Sequence, residues 1–232
     1  MKELTTDQID AYHEQGYTVV ENMFPLSELD DLNDELDRLM EEGAGENAHG
    51  KGWIMQLGLV SNVTEAFCAD ARILDLIKPL VYPGIAIYSA KLVSKEPHDD
   101  SICHWHQDDA YYTKFSQSER RMSIWISLQD TIIEHGCLEV IPGSHKRGLQ
   151  PTQIRKEGTC TLAMDVDINL NERVLCPVKA GTMILFSSLL WHGSAGNQTN
   201  QRRRAFIVSY QEATVQGGNG RQWKVLRSVQ MQ

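Results

Sequence analysis

The 232-residue chain contains no apolar run approaching the eighteen or more residues that a bilayer-spanning helix requires, so no transmembrane segment is expected. It also lacks a basic N-terminal segment followed by an apolar one, so no secretory signal is expected. Positive charge is in deficit, with 22 Lys and Arg against 31 Asp and Glu and a formal net charge of -9. Affinity for phosphate backbones rests on clustered Lys and Arg, so this balance argues against a nucleic-acid partner and disfavours a heavily phosphorylated substrate such as a CoA thioester. Cysteine is sparse. Cys68, Cys103, Cys137, Cys160 and Cys176 are odd in number and widely scattered, a pattern that predicts reduced thiols in a cytoplasm rather than a disulfide framework. Asn62-Val63-Thr64 and Asn197-Gln198-Thr199 match the glycosylation tripeptide, but without export the matches carry no weight. Internal repeats and low-complexity linkers are absent.

What is present suits one globular domain with a substantial core, since 41% of the residues are hydrophobic. The expected layout within 1–232 is a helical flank over 1–82, a β core over 83–211 and a tail over 212–232. Thr5 to Gln15 reads as a short helix with Thr5 or Thr6 as its cap, and Tyr17 to Glu21 as a strand. Ser27 to Glu42 reads as an amphipathic helix, with Leu29, Leu32, Leu36 and Leu39 on one face and acids on the other. Gly43 to Gly52 reads as a loop and Trp53 to Leu59 as an extended segment returning over a site. One helix is expected from Val63 or Thr64 to about Leu80. After Pro83-Gly84 short strands separated by turns predict an all-β sandwich or barrel. In Arg121 to Leu128 aliphatic residues alternate with Ser123, Trp125 and Ser127; a large aromatic among serines suggests a cavity wall. Residues Gly148 to Asn171 are polar and aperiodic, which reads as a loop covering the mouth. The role of the Gly-rich stretch Gly217 to Gly220 is not legible.

The chemistry concentrates in His104-Trp105-His106-Gln107-Asp108-Asp109. On an extended strand alternate side chains share a face, so His106 and Asp108 would project together and supply half a metal site. His192, closing a long apolar run before Gly193-Ser194, is the candidate third ligand. Two imidazoles and one carboxylate form the facial triad that holds non-heme Fe(II) with positions left open. His104 would share the face of His106 on a regular strand, but pairing those two would leave Asp108 buried and uncompensated; His104 is placed at the substrate mouth instead. An open iron site needs a co-substrate, and the run Arg202-Arg203-Arg204 offers a guanidinium for its far carboxylate. On an alternating strand Arg203 lies beside Ala205, which leaves space for a ligand, whereas Phe206 and Val208 fill space on the other face. Lys91 falls on an inner strand face, unusual without a partner, which makes it a candidate for contacting 2-oxoglutarate or the prime substrate. His145, in the turn Pro142-Gly143-Ser144-His145, is assigned a structural hydrogen bond.

At these residues the sequence resembles the phytanoyl-CoA dioxygenase family of Fe(II)/2-oxoglutarate oxygenases. The resemblance is carried by Trp105-His106-Gln107-Asp108, by His135 through His145, and by His192-Gly193-Ser194 with Asn197 and Arg203. One departure is His135, where the family often has Asn. The resemblance implies a double-stranded β-helix (jelly roll, cupin-like) core, mainly β, with flanking N-terminal α-helices. It implies His106, Asp108 and His192 as iron ligands, Arg203 at the distal carboxylate of 2-oxoglutarate, and Ser194 and Trp125 lining that pocket. Fe(II), 2-oxoglutarate and O2 are the expected cofactors. The expected function is oxidation of an unactivated C–H bond of a small molecule, by hydroxylation, cyclisation or desaturation, as in natural-product or antibiotic biosynthesis. The alternatives are a fatty acyl-CoA 2-hydroxylase, a non-oxidative cupin-like metal protein, and a binding module without turnover.

Overall fold

The computed structural model describes residues 2–43, 52–218 and 223–229. Helix α1 (Thr6–Gln15) starts where the Thr5 hydroxyl accepts from the Gln8 amide and the Gln8 side chain accepts from the Thr5 amide, satisfying two donors that a helix start leaves unpaired. It stops at Gly16, whose φ of +85° suits only glycine and whose missing Cβ makes room for His145. Strand β1 (Tyr17–Val20) follows, then α2 (Leu26–Glu41), in which Leu29, Leu32, Leu36 and Leu39, at three- and four-residue steps, are all buried. Burial of each contributes roughly 1.5–3 kcal/mol, which holds this helix to the sheet.

β2 (Trp53–Met55) is shorter than the extended segment expected there, because the chain turns at Gln56 into α3 (Leu57–Val60). The single helix expected up to Leu80 is two, α4 (Asn62–Cys68) and α5 (Ala71–Ile77). Asp70 interrupts it by taking a non-helical conformation and accepting from the Arg72 amide, restarting the helix as an N-cap.

The remaining strands are β3 (Ile85–Lys95), β4 (Cys103–His106), β5 (Met122–Ser127), β6 (Leu138–Val140), β7 (Thr152–Ile154), β8 (Leu162–Met164), β9 (Val174–Cys176), β10 (Met183–Ser187), β11 (His192–Ser194), β12 (Arg203–Gln211) and β13 (Lys224–Arg227). A short helix, α6 (Asp109–Tyr112), follows β4. The seven-stranded major sheet runs β1-β10-β5-β12-β3-β13, with β2 also on β3, and the minor sheet runs β4-β11-β6-β9. Every pairing is antiparallel. Two such sheets face to face are the expected jelly roll.

The outer face of the major sheet, with Leu92, Ile124, Ile126, Leu185, Phe206 and Val208, packs on the helices in the largest core. The inner face, with Trp125, Ile184, Phe186 and Ala205, meets Leu138 and Val140 of the minor sheet. Hydrogen bonding does not respect the divisions at 82 and 211: β1 and β2 from the expected flank, and β13 from the expected tail, all extend the major sheet.

Two further expectations change. The stretch Gly148 to Asn171 is not a plain loop but carries the hairpin β7–β8, which packs on β4. Nor are all five thiols reduced: Cys103 and Cys160 form a disulfide, with their Cα atoms 4.8 Å apart across 57 residues of sequence, while Cys68, Cys137 and Cys176 are free and buried. The hairpin folds back on β4, a long-range approach that cysteine spacing cannot reveal. The expected loop at 44–51 and the end of the Gly-rich stretch, Asn219 and Gly220, lie outside the described residues. Among the described residues no helix is long and apolar enough to cross a membrane.

Candidate metal and co-substrate site

His106 ends β4 and His192 begins β11, and the two are direct antiparallel partners. Their rings therefore lie side by side, 4.0 Å between centroids and tilted by 49° to one another. Asp108 reaches them differently from the expected alternation. The strand stops at His106, and Asp108 takes a helical conformation (φ -58°, ψ -35°) at the start of α6. This turn, rather than a shared strand face, aims the carboxylate at the imidazoles. Asp108 Oδ1 is 3.9 Å from Nε2 of His106 and 3.9 Å from Nε2 of His192. Gln107 fixes the turn: its side chain donates to the carbonyls of Gly148 and Leu189 and accepts from the Gln150 amide.

Each imidazole has its Nδ1 engaged by a carbonyl two residues back, His106 with His104 at 2.8 Å and His192 with Leu190 at 2.9 Å. With Nδ1 carrying the proton, the Nε2 lone pairs face the centre, the tautomer a metal ligand needs. Burial holds both rings neutral by pushing their pKa values down, and for His106 the neighbouring His192 adds to this. Burial alone would raise the Asp108 carboxyl, but Lys91 and the two imidazoles outweigh it and hold the group ionised below the usual carboxylate range. Ser123 Oγ donates to Asp108 Oδ2 and is itself bonded to Ser209 Oγ, 2.8 Å away, and Ser209 to the Tyr112 hydroxyl at 3.2 Å. This inward-facing chain orients the carboxylate. Alternation had put Ser123 and Trp125 on one face, a usable signal; the pairing with Asp108 was not foreseen.

The three donors lie within 4.8 Å of one another, all in buried residues. Two neutral nitrogens and one carboxylate oxygen fit a divalent ion with positions left open. Cys103, His106 and Cys160 form a second close group, but its sulfurs are bonded to each other and His106 Nδ1 is already engaged.

Arg203, Trp125, Ser194 and Lys91 line the narrow cavity that also contains the triad, and Phe186 and Leu138 close it. Arg203 is 2% exposed; Nη2 donates to the Gly136 carbonyl at 2.9 Å, whereas Nε has no acceptor among the described residues. Its guanidinium carbon lies 5.8 Å from the centre of the Trp125 ring. Burial has pulled the guanidinium down to about 10, yet it stays charged at neutral pH. Its neighbour Arg204 points outward to Asp37 and Asn33 on α2, and Arg202 also pairs with Asp37, so of the three arginines only Arg203 faces the cavity. A buried cation with an unused donor fits a carboxylate co-substrate.

Lys91 Nζ is 3.6 Å from Asp108 Oδ1. His104 does not join the triad: its Nε2 bonds the Glu157 carbonyl at 2.8 Å, on the turn of the β7–β8 hairpin. His145 bonds the His13 carbonyl of α1, a structural contact. A second cavity of about 190 Å³ adjoins the first at Lys91, His106, Trp53 and Cys160, and its walls include Met55, Tyr88, Tyr111, Tyr112 and Phe115. These aromatics, on four different elements or loops, carry no joint signature in sequence.

The family profile described as Phytanoyl-CoA dioxygenase (PhyH) matches residues 12–205, a span that includes the triad and Arg203. The chain belongs to the phytanoyl-CoA dioxygenase family of Fe(II)/2-oxoglutarate-dependent oxygenases. Phytanoyl-CoA dioxygenase domain-containing protein 1 of Mus musculus is 33% identical over 151 residues, covering 62% of this chain and 49% of that protein. The match thus spans about half of that relative's length. The peroxisomal phytanoyl-CoA dioxygenase of Homo sapiens is 25% identical over 234 residues, covering 90% of this chain and 69% of the relative. Among solved structures, the non-heme alpha-ketoglutarate-dependent carbocyclase SnoK from nogalamycin biosynthesis superposes with a TM-score of 0.78 at 21% identity, covering 94% of this chain and 87% of that one. That likeness establishes the jelly-roll fold. Family membership selects iron from the divalent ions that the donor set alone would accept.

Proposed function

We propose that this member of the phytanoyl-CoA dioxygenase family oxidises an unactivated C–H bond of a small molecule, with Fe(II) held by His106, Asp108 and His192. Iron with 2-oxoglutarate and O2 supplies the oxidant for such a bond and yields succinate and CO2. The protein's own part is positioning. Arg203 receives the distal carboxylate of 2-oxoglutarate, Ser194 and Trp125 shape its slot, and burial of the three ligands excludes competing water. Ser123 and the two backbone carbonyls at His104 and Leu190 fix the ligand orientations. The prime substrate occupies the aromatic cavity, whose 190 Å³ suits a compact metabolite or natural product rather than a long acyl chain.

One observation carries this reading. A buried triad and a buried guanidinium with a spare donor share one cavity. The test is succinate formation by the Fe(II)-reconstituted protein with 2-oxoglutarate under air, screened against a panel of small metabolites. At least one compound is expected to stimulate succinate release, and His106→Ala to abolish it; undiminished turnover in that variant overturns the assignment.

A further inference from the structure

Lys91 sits at the junction of the two cavities and lines both. It belongs to the middle of β3, opposite Ile207 of β12 and Met55 of β2, with its side chain on the inner face. Its ammonium is 3.6 Å from Asp108 Oδ1, the oxygen that also faces both imidazoles, and 5.8 Å from the centre of the Trp53 ring. Asp108 is the sole carboxylate in ion-pairing distance of Lys91 among the described residues, since the neighbouring Asp109 is engaged by the buried Arg121.

A metal ion changes this balance, because Asp108 then gives its charge to the ion. Summed over the loaded site, the two charges of a ferrous ion and the one on Arg203 balance the dianionic co-substrate and Asp108. Lys91 is left over, a buried cation with no anion of its own. Uncompensated buried charge is costly, and a site of this kind favours a ligand that supplies the missing negative charge. Beyond the ammonium the wall is aromatic, with Tyr88, Tyr112, Phe115 and Trp53.

Resting on the oxygenase reading, we infer that the prime substrate is a small organic monoanion, a carboxylate on an apolar or aromatic body, with its carboxylate paired to Lys91 and its body in the 190 Å³ cavity. The carboxylate end is thereby held beside the triad, so oxidation falls on a carbon near the anionic group. Lys91 is in this view a residue that sets specificity, distinct from Arg203, which serves the co-substrate.

The test is anaerobic calorimetry on the protein loaded with Fe(II) and 2-oxoglutarate. The probes are benzoate, phenylacetate and 3-phenylpropionate, each beside its neutral amide. At least one carboxylate is expected to bind about tenfold or more tightly than its amide, the yield of one charge-assisted contact. Lys91→Met is expected to erase that preference and to leave 2-oxoglutarate affinity within about threefold. It is also expected to bind Fe(II) more tightly than the parent, because a cation beside the ligand oxygen is gone. A panel in which no carboxylate outbinds its amide overturns the inference, as does a Lys91→Met variant that loses 2-oxoglutarate binding, which assigns Lys91 to the co-substrate. Failure of the loaded complex to form at all rejects instead the oxygenase reading on which the inference rests.

Discussion

Arg203→Met separates the two things a buried guanidinium can do, hold the fold or hold a ligand. Methionine keeps much of the apolar stem while removing the charge. In the ligand-free protein the guanidinium has one acceptor among the described residues, the Gly136 carbonyl, and an unused Nε. Removing it forfeits one charge-assisted hydrogen bond of about 1.5–3 kcal/mol but relieves a desolvated cation, so the stability of the free protein is expected to stay level or rise. With 2-oxoglutarate bound, the same change removes two charge-assisted contacts and strands a carboxylate. At about 1.5–3 kcal/mol per contact the loss is about 3–6 kcal/mol, on the order of a hundred- to ten-thousand-fold in affinity. Calorimetry of 2-oxoglutarate into the anaerobic Fe(II) protein reads this directly, and thermal unfolding reads it by linkage. At a ligand concentration 100 times the parent's Kd the parent gains about 2.7 kcal/mol, and the variant about 0.3 kcal/mol or less. Unchanged 2-oxoglutarate affinity refutes the anchor. Collapse of the free variant refutes the claim that the cation is a burden without its ligand.

Asp108→Ala is expected to abolish metal binding and to cost about 3–5 kcal/mol in denaturant unfolding, because Lys91 is left as an unpaired buried charge; adding Lys91→Met should recover most of that stability without recovering metal binding. The metal-free protein should lose stability as pH falls through the ordinary imidazole value of 6.5, because unfolded His106 and His192 take up protons there while the folded rings stay neutral. A further loss is expected below 3.8, where the unfolded Asp108 carboxyl protonates before the folded one; a stability curve flat from pH 7 to 4 would contradict the imidazole assignment, and one flat below 3.8 the carboxylate assignment. Cys160→Ser is expected to lower stability by about 4 kcal/mol on a chain-entropy basis and to raise amide exchange in the β7–β8 hairpin, whose other ties include the Tyr111 hydroxyl accepting from the Leu162 amide, the Thr159 amide donating to the Ile102 carbonyl and the His104 ring bonded to the Glu157 carbonyl. Exchange unchanged in that hairpin would show the disulfide to be dispensable.

Much of this site is legible because its signals are local in sequence. The His106-Gln107-Asp108 triplet, the His192 island, and the alternation that sets Arg203 beside Ala205 each need only a few neighbouring residues, as does the leucine stripe of α2. Asp108 is legible only in part: a strand's two-residue period puts it near His106, whereas a helical turn held by Gln107 does so in the structure. What stayed hidden depends on contacts between distant segments. Asp70 breaks a helix that apolar periodicity alone would continue. The Cys103–Cys160 bond, the Ser123–Asp108 contact and the wall formed by Tyr88, Tyr112 and Trp53 arise only when β2, β3, β4, β5, α6 and the hairpin meet. Similarly β1, β2 and β13 are short strands whose partners lie far along the chain, so their place in the major sheet could not be read from their own residues.

The most direct measurement is an anomalous-scattering map at the iron edge from anaerobic crystals grown with Fe(II) and 2-oxoglutarate. The account predicts one strong peak bonded to Nε2 of His106, Nε2 of His192 and a carboxylate oxygen of Asp108, with the distal carboxylate of 2-oxoglutarate on Arg203. A peak elsewhere, or iron held without Asp108, would contradict it.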